Sequence, residues 1–222
     1  MIATTLFIIA LVFLFYASYN IRSGIYLRTF YRKRTQEKIV ALTFDDGPDE
    51  AQTPRVLDVL QAHQATASFF CIGRKVKGNE ALLRRMVAEG HLIGNHSHSH
   101  ANLFPLFSLR KMKQDLATCT QALEEVTSQP IKYFRPPFGV TNPTIARAIR
   151  QAGYTPIGWN IRSLDTCTAS PAKVVKRIER QLQPGSVILL HDRMPHCAEI
   201  VTLLLELLRK KGYTIVRLDS ML

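Results

Sequence analysis

Between residues 39 and 218 the chain alternates short β-rich runs with helix-length amphipathic stretches, and this rhythm constrains its fold more than any other feature. Runs at 39–44, 67–71, 91–95, 133–135, 155–159, 186–190 and 214–218 predict strands. Between them, residues 53–63, 79–89, 108–127, 142–152, 172–181 and 198–211 space their apolar side chains by three and four, the mark of helices burying one stripe. Thr53-Pro54 and Asn142-Pro143 read as N-caps followed by proline in the first turn. Gly90, Gly153 and Gly212 stand just past helix ends, where a left-handed residue is needed. Strands that alternate with helices pair in parallel, and about seven such units suit an α/β domain curled into a (β/α) barrel.

The 222 residues, 46% hydrophobic and 21% charged, fit one globular domain with an appendage. Residues 1–21 carry no charged side chain and include the run from Leu6 to Phe15, so a helix there could cross about 30 Å of hydrocarbon. This segment is expected to be a transmembrane anchor rather than a cleaved signal. It lacks a positively charged start, and Ala17-Ser18 is its only approach to a small-residue cleavage site. Residues 22–37 then form a basic juxtamembrane segment and residues 38–222 the folded domain. Arg22, Arg28, Arg32, Lys33, Arg34 and Lys38 follow the span while no Lys or Arg precedes it, a bias that by itself places the domain on the cytoplasmic side. A net charge of +12 suits contact with anionic lipid or an acidic polymer. Nucleic acid is not expected as a partner, because the charge is spread over several helices and no recognition-helix, zinc-finger or aromatic RNA-binding pattern carries it. Nothing in the sequence fixes an oligomeric state.

Cys71, Cys119, Cys167 and Cys197 are few for a disulfide scaffold and lack Cys-x-x-Cys spacing, so most are expected to be packed thiols. Cys167 and Cys197 follow Asp165 and His191 closely enough to meet near one site.

The polar residues with chemical potential fall at the C-terminal ends of the strands: Asp45 and Asp46 after the first, His96 after the third, Arg135 at the fourth and His191 after the sixth. In a parallel barrel those ends share one mouth. His96 and His100, four apart in Asn95-His96-Ser97-His98-Ser99-His100, would share a helix face and reach one ion while His98 points away. The pair alone is a weak signal, but two imidazoles and one carboxylate leave a metal with open positions, as a catalytic site requires. Thr43-Phe44-Asp45-Asp46-Gly47-Pro48 leaves the sheet through a Gly-Pro turn, so the adjacent acids diverge. One can bind the ion while the other stays free to take a proton. In isolation, Asp-Asp-Gly-Pro more often makes a solvated turn.

Arg135 precedes Pro136-Pro137-Phe138-Gly139, whose prolines stiffen the backbone, so its guanidinium can orient a carboxylate base; the plain alternative is a surface arginine before a loop. His191 ends an apolar strand, where a general acid for a leaving amine is expected, and Asp165 is the candidate to hold that imidazole protonated. Their alternatives are a structural strand-end histidine and a loop acid capping backbone N–H groups.

Taken together, residues 43–48, the His96 to His100 run, Arg135-Pro136-Pro137-Phe138-Gly139, the Asp165 region and Leu189-Leu190-His191 resemble, in order and spacing, the polysaccharide deacetylase family, also called the NodB-homology domain or carbohydrate esterase family 4. The resemblance spans residues 38–218. It implies a distorted (β/α) barrel that removes N-acetyl or O-acetyl groups from sugars with a divalent metal, usually zinc, with cobalt, nickel and manganese as chemical alternatives. It also implies Asp45 as base, Asp46, His96 and His100 as metal ligands, Arg135 as the residue that tunes Asp45, His191 as acid and Asp165 as its partner. Pro137, Phe138 and Leu190 would lie against the substrate, with the Phe138 N–H beside the developing oxyanion.

The expected substrate is an N-acetylated glycan such as peptidoglycan or a chitin-like polymer, and the expected place is the cell envelope, with the cytoplasmic face as the alternative set by the basic flank. Many members carry tryptophan directly after the acid of the fourth motif, where this chain has Thr166, so the reaction is better specified than the sugar. A metal-dependent hydrolase of another C–N or ester bond keeps the same chemistry. A catalytically silent carbohydrate-binding module keeps only the fold, and has no need of Asp45 and His191 together.

Overall fold

Strand β1 (Ile39–Asp45) is buried along all but its first residue, as an apolar strand flanked by parallel neighbours must be. Its side chains alternate. Val40, Leu42 and Phe44 enter the largest core cluster, whereas Ala41 belongs to a separate cluster with Phe70, Val187 and Leu218. By that period of two, Thr43 and Asp45 follow Ala41 on the inner face of the sheet.

The other strands are β2 (Ser68–Cys71), β3 (Leu92–Asn95), β4 (Tyr133–Phe134), β5 (Thr155–Pro156), β6 (Ile161–Arg162), β7 (Ser186–His191) and β8 (Thr214–Ile215). The computed structural model describes residues 1–222 and arranges the strands in the order β5-β4-β3-β2-β1-β7-β6, with β8 paired to the start of β1. Every strand pairing is parallel. Strands β5 and β6 lie at opposite edges of this order, yet only residues 157–160 separate them in sequence. The sheet therefore curls until its edges approach, a parallel half-barrel of the expected α/β type.

The basic segment runs along that seam. Phe30 N donates to Pro156 O at 2.9 Å, Gly158 N donates to Phe30 O at 2.8 Å, and Lys33 N donates to Gly185 O at 2.9 Å. Leu27 is buried in a second core cluster with Phe104 and Phe134. The folded unit thus reaches back past the boundary expected at Lys38.

Helices α2 (Thr53–Ala62), α3 (Glu80–Ala88), α4 (Leu109–Thr127), α5 (Pro143–Ala152), α6 (Pro171–Glu179) and α7 (Cys197–Lys210) follow the amphipathic stretches within a few residues. The largest cluster, 28 buried residues, joins β1, β2 and β7 to α2, α3, α6 and α7, with Phe44 stacked on Phe69 at 4.9 Å between ring centroids. Each fully buried large side chain of this kind contributes roughly 1.5–3 kcal/mol.

Asn142 caps α5 as expected, accepting from Ile145 N at 2.8 Å. Thr53 does not cap α2. Its hydroxyl donates to the buried Asp192 carboxylate at 2.6 Å and accepts from Asp49 N at 2.9 Å, while Gln52 holds the cap position without a side-chain bond. The hydroxyl gives its proton to the buried Asp192 carboxyl and its lone pair to Asp49 N, so it does not cap the helix's own N–H groups.

Helix α1 (Ile2–Tyr19) has 18 residues and a mean hydropathy of 2.1, long and apolar enough to cross a membrane. Its last turn meets the domain: Thr141 N donates to Ser18 O at 2.9 Å and Thr141 Oγ1 to Ala17 O at 3.2 Å, and Ala17 is fully buried.

Candidate active site

Asp45 and His191 are register partners on adjacent parallel strands, β1 and β7, so both side chains leave the same end of the sheet. The cleft above them has a volume of about 220 Å³ and is lined by Asp45, Asp46, His96, His100, His191 and Phe138 among others.

Arg135 fixes Asp45. It is completely buried, and its Nη1 donates to Asp45 Oδ1 at 2.7 Å and to Thr43 Oγ1 at 2.8 Å, while Nη2 donates to Gly158 O at 2.9 Å. The guanidinium also lies 4.2 Å from the Phe70 ring centroid. This planar fork holds the carboxylate in one orientation, which a flexible lysine could not do.

Asp46 turns the other way because its backbone is left-handed, with φ of 74°, a conformation Asp tolerates better than most residues. Its Oδ1 lies 3.2 Å from His100 Nε2 and 3.5 Å from His96 Nε2. One ligand atom from each of Asp46, His96 and His100 falls within 4.8 Å of the other two, the spacing of a metal-binding group. His96 Nδ1–H donates to Arg135 O at 2.8 Å; since a carbonyl only accepts, this bond leaves the Nε2 lone pair facing the cluster.

Burial opposes charge on His96, yet Asp45 and Asp46 outweigh it and raise its pKa, so the pocket favours added positive charge. Burial likewise opposes a charged Asp46, but His96, His100 and Arg193 hold it far below the usual carboxylate range. Burial and the His96 charge push His100 down to about 4, which leaves its imidazole neutral and able to ligate. The donor set and its electrostatics fit a divalent cation of the borderline kind, zinc included.

The two histidines do not share a helix, contrary to the sequence expectation. They sit on a loop after β3 in which Ser97 and His100 have φ of 66° and 43°. Side chains compete successfully with helical hydrogen bonding there: Asn95 Oδ1 accepts from Ser97 N at 2.7 Å, Ser97 Oγ from His100 N at 3.0 Å, and Asp115 Oδ1 on α4 from His98 N at 2.7 Å. The i, i+4 spacing converges through a turn instead.

Across the cleft, His191 Nδ1–H donates to Asp165 Oδ1 at 2.8 Å, and His191 N donates to Asp165 Oδ2 at 2.7 Å. Ser163 Oγ also donates to Asp165 Oδ1, at 2.9 Å. Burial alone would lower the His191 pKa, but the hydrogen bond and charge of Asp165 reverse this and raise it. The site thus places a carboxylate acceptor and an imidazole of raised pKa on opposite sides of a cation-favouring pocket.

Two of the expected substrate contacts need correction. Leu190 is fully buried in the largest core cluster, because alternation along β7 turns it towards the helices; its neighbour Leu189 lines the cleft. Pro137 is buried and stays off the cleft wall, whereas Phe138, 47% exposed, lies on it with its ring 4.7 Å from that of His100. All four cysteines are free thiols; Cys167 is exposed and Cys197 is buried in the core, so the two do not form a bridge.

Trp159, Arg162 and Arg193, which no sequence motif singles out, line the same cleft. Arg193 Nε donates to Asp46 Oδ2 at 2.9 Å. Its position two residues after His191 was the available signal. Trp159 follows β5, and a Cβ at Gly139 would collide with its indole, so glycine is required there both for that approach and for a φ of 70°. Behind the Asp46 turn, a Cβ on Gly47 would strike the Asp192 carboxyl, which burial pushes up to about 7.

A family model described as polysaccharide deacetylase matches residues 32–157. A peptidoglycan-N-acetylglucosamine deacetylase of Bacillus cereus is 35% identical over 193 residues, covering 84% of this chain and 89% of the relative. The peptidoglycan-N-acetylmuramic acid deacetylase PdaA of Bacillus subtilis is 32% identical, covering 87% and 74% respectively. Among solved structures, a CE4 family pseudoenzyme from Bacillus anthracis superposes with a TM-score of 0.81 at 25% identity, covering 87% of this chain and 68% of its own.

Proposed function

This chain belongs to the polysaccharide deacetylase family, hydrolases of amide bonds on carbohydrates, and we propose that it removes acetyl groups from an N-acetylated glycan of the cell envelope, with a divalent metal at the cleft and α1 as a membrane anchor. The observation that carries this reading is the Asp45–His191 pair. The two face one pocket from adjacent strands, and each is oriented by its own buried partner, Arg135 or Asp165.

In this reading Asp46, His96 and His100 hold the metal, which when bound would polarise the acetyl carbonyl and acidify a water. Asp45, kept in place by Arg135, takes a proton from the attacking water. His191 donates from Nε2 to the departing amine nitrogen while its Nδ1–H remains on Asp165. The Phe138 N–H is assigned to the developing oxyanion, and Phe138 and Trp159 form walls for the sugar. Acetate and an amino sugar leave.

The second reading is a silent carbohydrate-binding module, favoured by the fold shared with a pseudoenzyme. Acetate release separates the two. The full chain in detergent, stripped by chelator and supplied with zinc, should release acetate from N-acetylglucosamine oligomers or peptidoglycan fragments. Metal bound stoichiometrically, glycan bound and no acetate formed would give the silent module instead.

A further inference from the structure

Leu106 and Leu103 are 79% and 63% exposed, although Phe104 between them is fully buried. The turn that carries them is held from below: Phe104 packs with Leu27, Met112 and Leu116, and Asn142 Nδ2 donates to Pro105 O at 2.6 Å. Two apolar side chains are thus kept in solvent by a rigid base, an arrangement that costs solvation and gains nothing inside the domain.

The same base holds the end of α1. Thr141, next to Asn142, binds both Ala17 O and Ser18 O. Three residues earlier, Phe138 forms part of the cleft wall. The end of the apolar helix, the leucine turn and the cleft rim are therefore linked through one short segment, residues 138–142. The first turns of α4 add exposed Arg110, Lys111 and Lys113, with Lys111 Nζ 3.9 Å from the Phe107 ring centroid. Exposed leucines flanked by cations match the boundary between acyl chains and anionic headgroups.

We infer that the Leu103–Leu106 turn inserts into the bilayer interface beside α1 and seats the cleft at the membrane surface. The substrate is then a membrane-proximal N-acetylated glycan, such as one attached to lipid, rather than a distant polymer. The inference rests on the reading of α1 as an anchor and on the deacetylase reading above.

The test uses the full chain in nanodiscs of phosphatidylcholine and phosphatidylglycerol carrying a nitroxide shallow in the acyl chain. Leu106→Trp is compared with Lys173→Trp on α6, and each with the parent chain, whose Trp159 sets the baseline. The fluorescence added at position 106 should be largely lost and that at position 173 retained. Equal quenching at both positions overturns the docking.

The anchor reading is tested separately by alkaline carbonate washing of membranes that carry the full chain. Retention of the chain together with an unquenched position 106 overturns docking and leaves the anchor; release overturns the anchor, and docking with it. Leu103→Ser/Leu106→Ser, altered only at exposed positions, should keep turnover of soluble N-acetylglucosamine oligomers and lose several-fold on an N-acetylglucosamine glycolipid in the same nanodiscs. Equal turnover on both substrates contradicts the substrate assignment. Absence of turnover by the parent chain on both substrates, with position 106 quenched, tells against the deacetylase reading alone.

Discussion

Asp165 grips His191 twice, through the ring Nδ1–H at 2.8 Å and the backbone N–H at 2.7 Å, so the imidazole is fixed in both position and tautomer. The ring points its other nitrogen into the cleft with a pKa raised above the ordinary histidine value of 6.5.

That shift sets the alkaline side of the pH profile. His191 serves as an acid only while protonated, so kcat should fall as pH rises through its raised pKa. Asp165→Asn removes the charge that raises it, and the falling limb should move to lower pH. The same interaction stabilises the fold fully below the ordinary histidine pKa, and that stability is lost as pH rises through the raised value. Profiles of kcat for the two proteins check this; an unmoved alkaline limb in the variant would remove His191 as the acid.

Arg135 is buried and bonded to three groups, so its loss should be costly. Arg135→Met would strand the buried Asp45 carboxylate, and breaking a buried pair from one side costs roughly 3–5 kcal/mol. Arg135→Lys should recover part of the stability but little activity, because one ammonium cannot bond Asp45, Thr43 and Gly158 O in the same plane. Denaturant unfolding beside steady-state kinetics measures both effects.

Metal should stabilise the protein through Asp46, His96 and His100. Zinc at about 100 times its dissociation constant would add about 2.7 kcal/mol to stability, and His100→Ala should lose most of that gain. Thermal unfolding with and without added zinc gives the comparison, and equal zinc-induced shifts in both proteins would displace His100 from the ligand set.

The two leucines before His191 should part in their effects. Leu190→Ala opens a hole in the largest core cluster and should cost roughly 2–5 kcal/mol while leaving KM unchanged. Leu189→Ala alters the cleft wall and should change KM with a smaller loss of stability.

This contrast also shows where sequence reading succeeds. Long strands and helices are legible because their apolar periods persist over several residues, and the C-terminal ends of those strands directed attention to Asp45, Arg135 and His191. Strand β6 (Ile161–Arg162) is not legible because it follows β5 after only residues 157–160, with no helix between them to mark a new unit. Leu190, which the resemblance places against the substrate, lies in the core because the period of two sends it to the face opposite Leu189. The His96 to His100 loop kept its spacing but changed its conformation, since bonds from Asn95, Ser97 and Asp115 arise only after folding. The packing of Leu27, Phe30 and Lys33 along the seam is equally hidden, because the hydrogen bonds of Phe30 and Lys33 there come from backbone groups and leave no compositional trace.

The most direct measurement is acetate release by Asp45→Asn beside the parent chain, both loaded with zinc to the same measured occupancy. If Asp45 is the base and its neighbour Asp46 the ligand, the variant should keep its zinc and lose about 10²- to 10⁴-fold in kcat. Undiminished turnover at equal zinc occupancy would contradict the account, and loss of zinc from the variant would mean that the roles of the two acids have been misassigned.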